Sequence, residues 1–462
     1  MTDTMLPAEM VKHVREGYDS GLTRPLPWRR TQLRQLRRML DENEAEWLAA
    51  LAADLRKPAT EGWMTDIGAI DREIETMHHN LGRWTEPRAV PVPIRLGVGK
   101  AHVVPEPLGL VLVLAPWNYP INLLVLPLAF ALAAGNAVVA KPSELAPATS
   151  KLLARLVPRY LDERAVAIVE GGPDTSTSLL AERWDHIFYT GNGRVGRIVM
   201  EAAAKHLTPV TLELGGKSPA IVDREADLDA AAHRIAWGKF LNAGQTCLAP
   251  DYVLVHKDAE EQLLAKLAQR VGDFYGPDPR QSPDYGRIVN DGHLARLQGL
   301  LDDIDPARIV IGGQVDAAHR YLAPTIVRHV SWDEPVMADE IFGPILPVIA
   351  VADVEAAIEA VNAHPKPLAV YIFTSRPGVA DRVVERTSSG GVCINGTVLQ
   401  FATPGLPFGG VGGSGMGAYH GQYGFETFSH LKGVLDRATW FDPTFASPPY
   451  TKLKERILRR LL

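Results

Sequence analysis

The 462-residue chain has only two cysteines, Cys247 and Cys393, too few for a disulfide framework and compatible with a reducing compartment. It also lacks an excess of either charge. Lys and Arg number 48 against 54 Asp and Glu, and the net of −6 is spread along the chain, so a nucleic-acid partner has no compositional support. The N-terminus, MTDTMLPAEMVKHVREGYDSG, contains acidic side chains and no uninterrupted apolar stretch, which argues against export and for a cytoplasmic protein. Residues 107–140 carry no charge and exceed the roughly 20 apolar residues of a membrane span. Pro116-Trp117-Asn118-Tyr119-Pro120 and Gly135-Asn136 break that run, so no integral span is expected. Two short apolar strands flanking a loop and a buried helix fit better.

What is present reads as an ordinary globular enzyme: 46% hydrophobic and 22% charged residues exclude disordered and fibrous classes. The length allows roughly three domains. Leu33, Leu36, Leu40, Trp47, Leu48, Leu51 and Leu55 recur at helical spacing. From residue 103 onward, strand-length apolar runs at 110–115, 137–140, 166–169, 186–189 and 209–213 are mostly separated by helix-length segments. That alternation predicts crossover connections and a parallel, doubly wound sheet. A second α/β unit follows, with strands at 218–222 and 252–255 and a helix around Leu263, Leu264, Leu267 and Val271. Residues 403–421, TPGLPFGGVGGSGMGAYHG, are too glycine-rich for helix or strand. The end, TKLKERILRRLL, reads as a short basic amphipathic helix, docked or solvated rather than membrane-bound.

Four segments place a reactive residue beside glycines or prolines: Asn242-Ala243-Gly244-Gln245-Thr246-Cys247, Leu212-Glu213-Leu214-Gly215-Gly216-Lys217, Pro116-Trp117-Asn118-Tyr119-Pro120 and Gly191-Asn192-Gly193-Arg194-Val195-Gly196. Singly they are weak. A lone cysteine is more often a small buried hydrophobe than a nucleophile. One Glu beside two glycines, or one Asn in a proline-bounded loop, is more often a turn residue.

Together and in this order they resemble the aldehyde dehydrogenase superfamily, over about residues 25–435. KPSE at 141–144, EIFGP at 340–344 and LPFGGVGGSGMGAYHG followed by FETFSH look most like its class 3 branch, which includes enzymes for medium-chain, fatty and aromatic aldehydes. The resemblance implies an α/β fold with two doubly wound parallel-sheet domains and a small β bridging element. Residues 1–80 and 103–213 would form the cofactor-binding domain and 214–405 the catalytic domain. Residues 81–102 and 425–445 would form the bridging, oligomerisation element, and 446–462 a C-terminal tail.

The implied chemistry is NAD(P)-dependent oxidation of an aldehyde to the acid through a thiohemiacetal and a thioester on Cys247. Asn118 and the cysteine N–H would hold the oxyanion, and Glu213 would activate water for deacylation. An apolar setting would raise the Glu213 pKa toward neutrality. For the cofactor, GNGRVG matches the dinucleotide fingerprint G-x-G-x-x-G, and Glu213 falls where that fingerprint expects a ribose-binding acid. The resemblance points elsewhere: Gly191, Asn192, Gly193 and Gly196 would open a helix facing the pyrophosphate, with Gly193 where a hydroxyl or small side chain is commoner. Lys141, Glu144 and Glu340 would hold ribose, with Trp117 and Phe342 among the contacts. Glu144 favours a 2′-hydroxyl over a 2′-phosphate and Lys141 tolerates either, so NAD is expected, with NADP possible and no metal. The bland alternative for this pair is a solvent-exposed helix start capped by Ser143.

Tyr119, Trp237, Phe240, Leu241 and Phe408 match or adjoin the family's substrate tunnel. None is basic, which favours a non-anionic aldehyde, although core packing explains Phe240 and Leu241 equally well. The competing readings are a semialdehyde dehydrogenase for an ω-carboxylated aldehyde and a non-catalytic scaffold; the intact set Asn118, Glu213 and Cys247 argues against the latter. The short N-terminus and the hairpin expected at 81–102 imply a homodimer.

Overall fold

A computed structural model describes residues 6–93, 98–403, 405–440 and 444–461. The chain opens with helices α1 (Pro7–Asp19), α2 (Leu26–Glu42) and α3 (Glu44–Leu55). The leucine periodicity alone predicts one face from Leu33 to Leu55; the structure divides it at Asn43, whose φ of −120° and ψ of 21° leave the helical region. The Asn43 amide donates back to the Met39 carbonyl at 2.9 Å, taking an acceptor that the end of α2 leaves free. The short α4 (Ala59–Gly62) passes through a π turn, Trp63–Ile67, into α5 (Gly68–Thr85).

After β1 (Arg88–Val90) and β2 (Gly99–Pro107), the first large sheet alternates strands and helices: β3 (Leu110–Leu114), α6 (Asn122–Ala134), β4 (Ala137–Lys141), α7 (Pro147–Tyr160), β5 (Val166–Ile168), α8 (Pro173–Leu180), β6 (His186–Gly191), α9 (Gly193–Ala204) and β7 (Val210–Leu214). These strands are parallel in the order β7-β6-β3-β4-β5. The chain winds outward from β3 in both directions, which leaves a crevice at the carboxyl ends of β3 and β6, where open α/β sheets bind ligands. β3, β4 and every residue of α6 are buried, so the uncharged run 107–140 is core strand, loop, core helix and core strand. Among the described residues no helix is long and apolar enough to cross a membrane.

The second unit contains β8 (Pro219–Val222), α10 (Leu228–Phe240), β9 (Tyr252–His256), α11 (Glu260–Tyr275), α12 (Asp291–Asp302), β10 (Ile309–Ile311), the ribbon β11 (Val315–Asp316) with β12 (Tyr321–Leu322), β13 (Thr325–Val327), α13 (Pro335–Ala338), β14 (Ile345–Val351), α14 (Val354–Asn362), β15 (Ala369–Phe373), α15 (Pro377–Arg386) and β16 (Gly391–Ile394). Its seven-stranded sheet runs β10-β13-β14-β9-β8-β15-β16, parallel except at the β10 edge.

The glycine-rich stretch 403–421 is not wholly irregular as its composition suggests. β17 (Gly415–Met416) pairs antiparallel with β7, with Gly415 opposite Glu213. Only glycine fits there: φ is +137°, and a Cβ would stand 2.0 Å from the Leu212 carbonyl oxygen. After α16 (Gly421–Thr427), β18 (Ser429–Arg437) pairs antiparallel with β2, and β1 covers the other side of β2. This small sheet starts later than 81, because residues 81–85 continue α5, and β2 runs on to Pro107. Residues 425–427 are likewise helical, and part of the expected element, 94–97 and 441–443, lies outside the described residues. The C-terminal α17 (Lys452–Leu461) is the helix expected there and is largely exposed.

Candidate active site

The segment preceding Cys247 turns on three consecutive left-handed residues. Asn242 (φ 53°), Ala243 (φ 52°) and Gly244 (φ 76°) follow the end of α10. Asn tolerates this conformation better than most residues, but for Ala it is unfavourable and persists only where surrounding contacts impose it. Gly244 is obligatory, since a Cβ would meet the Gly343 carbonyl oxygen at 2.3 Å. The imposing contacts are visible. The Asn118 side-chain amide donates to the Gln245 carbonyl at 3.0 Å, and the Asn242 amide donates to the Asn118 carbonyl at 2.8 Å. The Gln245 side chain donates to the carbonyls of Asn242 (3.0 Å) and Arg287 (2.9 Å) and accepts from the Val289 N–H (2.9 Å). The structure therefore brings Asn118 and the cysteine segment into direct contact.

Cys247 is partly buried, and burial pushes its thiol pKa up, with the Glu340 and Glu213 carboxylates adding to the rise. The backbone N–H groups of Cys247 and Leu248 oppose it. Glu213 sits on β7 between β6 and β17 and is 3% exposed. Neither of its carboxylate oxygens has a hydrogen-bond partner among the described residues. Burial alone raises its pKa well above the ordinary carboxylate value. Glu340 is raised to about 8 by burial and by Asp251, against the opposing Gly216 N–H and the Lys217 and Lys239 cations. The glycine pair after Glu213 now has a reason: a Cβ on Gly215 would stand 1.9 Å from a Glu340 carboxylate oxygen.

Around the crevice, Trp117 packs edge-on against Phe342 at 5.4 Å between centroids, joining the PWNYP loop to the EIFGP loop. Phe342 itself has φ +47°, an uncommon conformation for a bulky residue. Lys141, at the carboxyl end of β4, is 4% exposed, and its ammonium lies 3.2 Å from Glu144. Ser143 caps no helix; its hydroxyl accepts the Leu145 N–H, and α7 begins at Pro147. Asn192 caps α9 by accepting the Val195 N–H at 3.0 Å. A Cβ on Gly191 would collide with the Tyr189 hydroxyl at 2.2 Å, and one on Gly196 would press on Leu214 at 3.0 Å, whereas Gly193 faces nearly open space. An exposed helix N-terminus after β6, a lysine at the carboxyl end of β4 and two carboxylates fit a dinucleotide.

The aromatic candidates divide. Tyr119 is buried, hydrogen-bonded to the Thr246 hydroxyl at 2.5 Å, with the Lys57 ammonium 4.1 Å from its ring centre. Phe240 (1% exposed) lies in the core and Leu241 is also buried, so packing accounts for both, while Trp237 is partly exposed on α10. Phe408 packs edge-on against Phe401 and Tyr419, at 5.0 and 5.6 Å.

Residues 8–434 match the family model described as Aldehyde dehydrogenase family. The chain belongs to the aldehyde dehydrogenase family. It is 51% identical to aldehyde dehydrogenase family 3 member A2 of Mus musculus, over 92% of this chain and 87% of that one. It is 48% identical to the Rattus norvegicus protein named aldehyde dehydrogenase, dimeric NADP-preferring, over 93% of this chain and 94% of that one. The substrate-bound structure of Staphylococcus aureus AldH superposes with a TM-score of 0.96 at 40% identity, covering 99% of this chain and 100% of that one. A Mycobacterium tuberculosis aldehyde dehydrogenase complexed with NAD+ superposes at 0.85 with 28% identity, covering 96% and 92%. This aldehyde dehydrogenase is an oxidoreductase that oxidises aldehydes with NAD(P).

Several residues around the site are not singled out by sequence motifs. Lys57 forms a fully buried pair with Asp66 at 2.8 Å and donates to the Asn118 carbonyl at 3.0 Å. Asp66 also accepts the N–H groups of Ile121 and Asn122, both at 3.3 Å. Glu61 accepts the Asn242 N–H at 2.9 Å. On the far side, Asp251 pairs with Lys217 at 2.6 Å and accepts the Ile341 N–H at 3.1 Å, holding the segment next to Glu340. Only glycine and proline punctuation hinted at loops here; the charged partners come from distant positions with no local pattern.

Proposed function

We propose that Cys247 is the nucleophile, Glu213 the base for deacylation and Asn118 an oxyanion donor, acting on a medium-chain aliphatic or aromatic aldehyde. The observation that carries this is the buried, unpartnered Glu213 carboxylate beside a thiol whose loop is locked by Asn118. The Cys247 sulfur, once deprotonated, adds to the carbonyl carbon, and the carbonyl π electrons move to oxygen. The new oxyanion is met by the Asn118 amide and the Cys247 N–H, donors fixed before the reaction begins. NAD(P), when bound, would supply the hydride acceptor that lets this tetrahedral adduct collapse to the thioester. Glu213 then takes a proton from water, which attacks the thioester carbon; the acid leaves and the thiol is regenerated. A carboxylate with no hydrogen-bond partner among the described residues is free to hold that water.

Lys141, Glu144, Glu340, Trp117, Phe342 and the α9 N-terminus with Gly191, Asn192, Gly193 and Gly196 would hold the cofactor. Residues 1–80 and 103–213 would form the cofactor domain, 214–405 the catalytic domain, and the β1-β2-β18 sheet a bridge between two subunits. Leu431 and Leu435 on β18 are 40% and 52% exposed, an edge that a second copy would cover. The relative named dimeric accords with a homodimer, and light scattering should give about twice the 50.4 kDa chain mass. Two unpaired cysteines fit a cytoplasmic enzyme. Tyr119, Trp237, Phe240, Leu241 and Phe408 would line or back the substrate channel. The Lys57 charge beneath Tyr119 is neutralised by Asp66, which makes this lysine a poor partner for a substrate carboxylate. The test is NADH formation at 340 nm across aldehydes with and without an ω-carboxylate. Higher kcat/KM for the uncharged set supports the reading, and preference for the ω-carboxylated set selects a semialdehyde dehydrogenase.

A further inference from the structure

One short stretch of the N-terminal segment, from Lys57 to Asp66, grips both halves of the reaction centre. Lys57 reaches the Asn118 carbonyl, and Glu61 reaches the N–H of Asn242 at the start of the left-handed turn. Glu61 lies on α4, and the π turn that follows places Asp66 against Lys57. Such turns insert one residue into a helix and re-aim the side chains around it. The Asn242 side chain is fastened separately, to the carbonyls of Asn118 and Gln245. Its backbone N–H depends on the carboxylate of Glu61.

We propose that Glu61 is a positioning residue for Cys247: by accepting the Asn242 N–H it holds the turn Asn242–Gly244 in the conformation that presents the thiol. Glu61 meets neither aldehyde nor cofactor in this account; it acts through the backbone five residues before the sulfur. An ionised carboxylate is the stronger acceptor for an N–H, so the hold tightens when Glu61 is charged. Burial raises its pKa to about 7, helped by Asp66 and Asp284, against the lowering by Lys57 and the Asn242 N–H. The Glu61 charge is also felt by Tyr119, Tyr275 and Tyr285, whose hydroxyl pKa values it helps to raise. The turn is therefore held more firmly as pH rises through neutrality.

The inference rests on Cys247 as nucleophile, and the experiment separates the two. The full-length enzyme and its Glu61→Ala and Glu61→Gln variants are alkylated with iodoacetamide, and the rate at Cys247 is read by peptide mapping between about pH 6 and 9. kcat/KM for an aldehyde and the Kd for NAD are measured alongside. Glu61→Ala is expected to slow alkylation and lower kcat/KM by about ten- to a hundredfold, the range of a small displacement of a reacting group, with the NAD Kd within about twofold. Glu61→Gln, which keeps a neutral acceptor, is expected to recover most of that loss while flattening the pH dependence near 7. The proposal is overturned if Glu61→Ala alkylates at the wild-type rate, or if Glu61→Gln keeps the wild-type pH limb; the Gln variant decides alone should the Ala variant not fold. If aldehyde fails to protect Cys247 from alkylation in the wild type, the nucleophile assignment falls instead.

Discussion

Around Cys247 the polar groups are tied together: Asn118, Asn242, Gln245, Glu61 and Lys57 each hold a backbone group of the two reactive loops. At Glu213 no described side chain or backbone group bonds either oxygen. The contrast fits the two tasks. A nucleophile must arrive at one carbon along one line, and rigidity set in advance supplies that geometry. A base that handles water needs its lone pairs free, and burial without partners among the described residues leaves them so while raising the Glu213 pKa above the ordinary carboxylate value.

The largest effect should come from replacing Cys247, the proposed nucleophile. Cys247→Ser is expected to lower activity by more than about a hundredfold with circular dichroism and NAD binding unchanged, because a serine hydroxyl does not ionise near neutral pH. Glu213→Gln sharpens the comparison. Turnover should fall by about 10²–10⁴ while rapid mixing still shows a burst of NADH, since the base acts after oxidation. The pH sign follows from the raised Glu213 pKa: the active form is the carboxylate, so turnover rises as pH climbs through that pKa, and the Gln variant loses this limb. Asn118→Ala should cost about 10²–10³ in kcat by removing an oxyanion donor, with the burst reduced as much as the turnover. Lys57→Met tests the static network: stranding Asp66 without its partner should destabilise the fold by about 3–5 kcal/mol, read as a lowered midpoint in urea. Cys393→Ser, on the β16 edge and outside both regions, should change activity by less than about twofold.

Much of the frame was legible. Apolar runs such as Leu110–Leu114 and Ala137–Lys141, separated by a helix-length segment, betray a buried parallel sheet because such strands are covered on both faces. The segments of Cys247, Glu213 and Asn118 stand out only together, through the family resemblance; the structure brings Asn118 against the Cys247 segment and shows why Gly215 and Gly244 carry no side chain. The division at Asn43 was not, because leucine spacing continues across it. β17 was invisible because two residues become a strand only through their partner β7. Glu61 gave no signal, since its partner Asn242 lies 181 positions away and an isolated Glu in a polar segment reads as solvated surface.

The most direct test of the two-part site is the mass of the trapped enzyme. Glu213→Gln mixed with NAD and an excess of a medium-chain aldehyde should accumulate a covalent acyl group, located on Cys247 by peptide mapping and absent from Cys247→Ser. A Glu213→Gln enzyme that stalls with no adduct, or that carries the acyl group on another residue, would contradict the account.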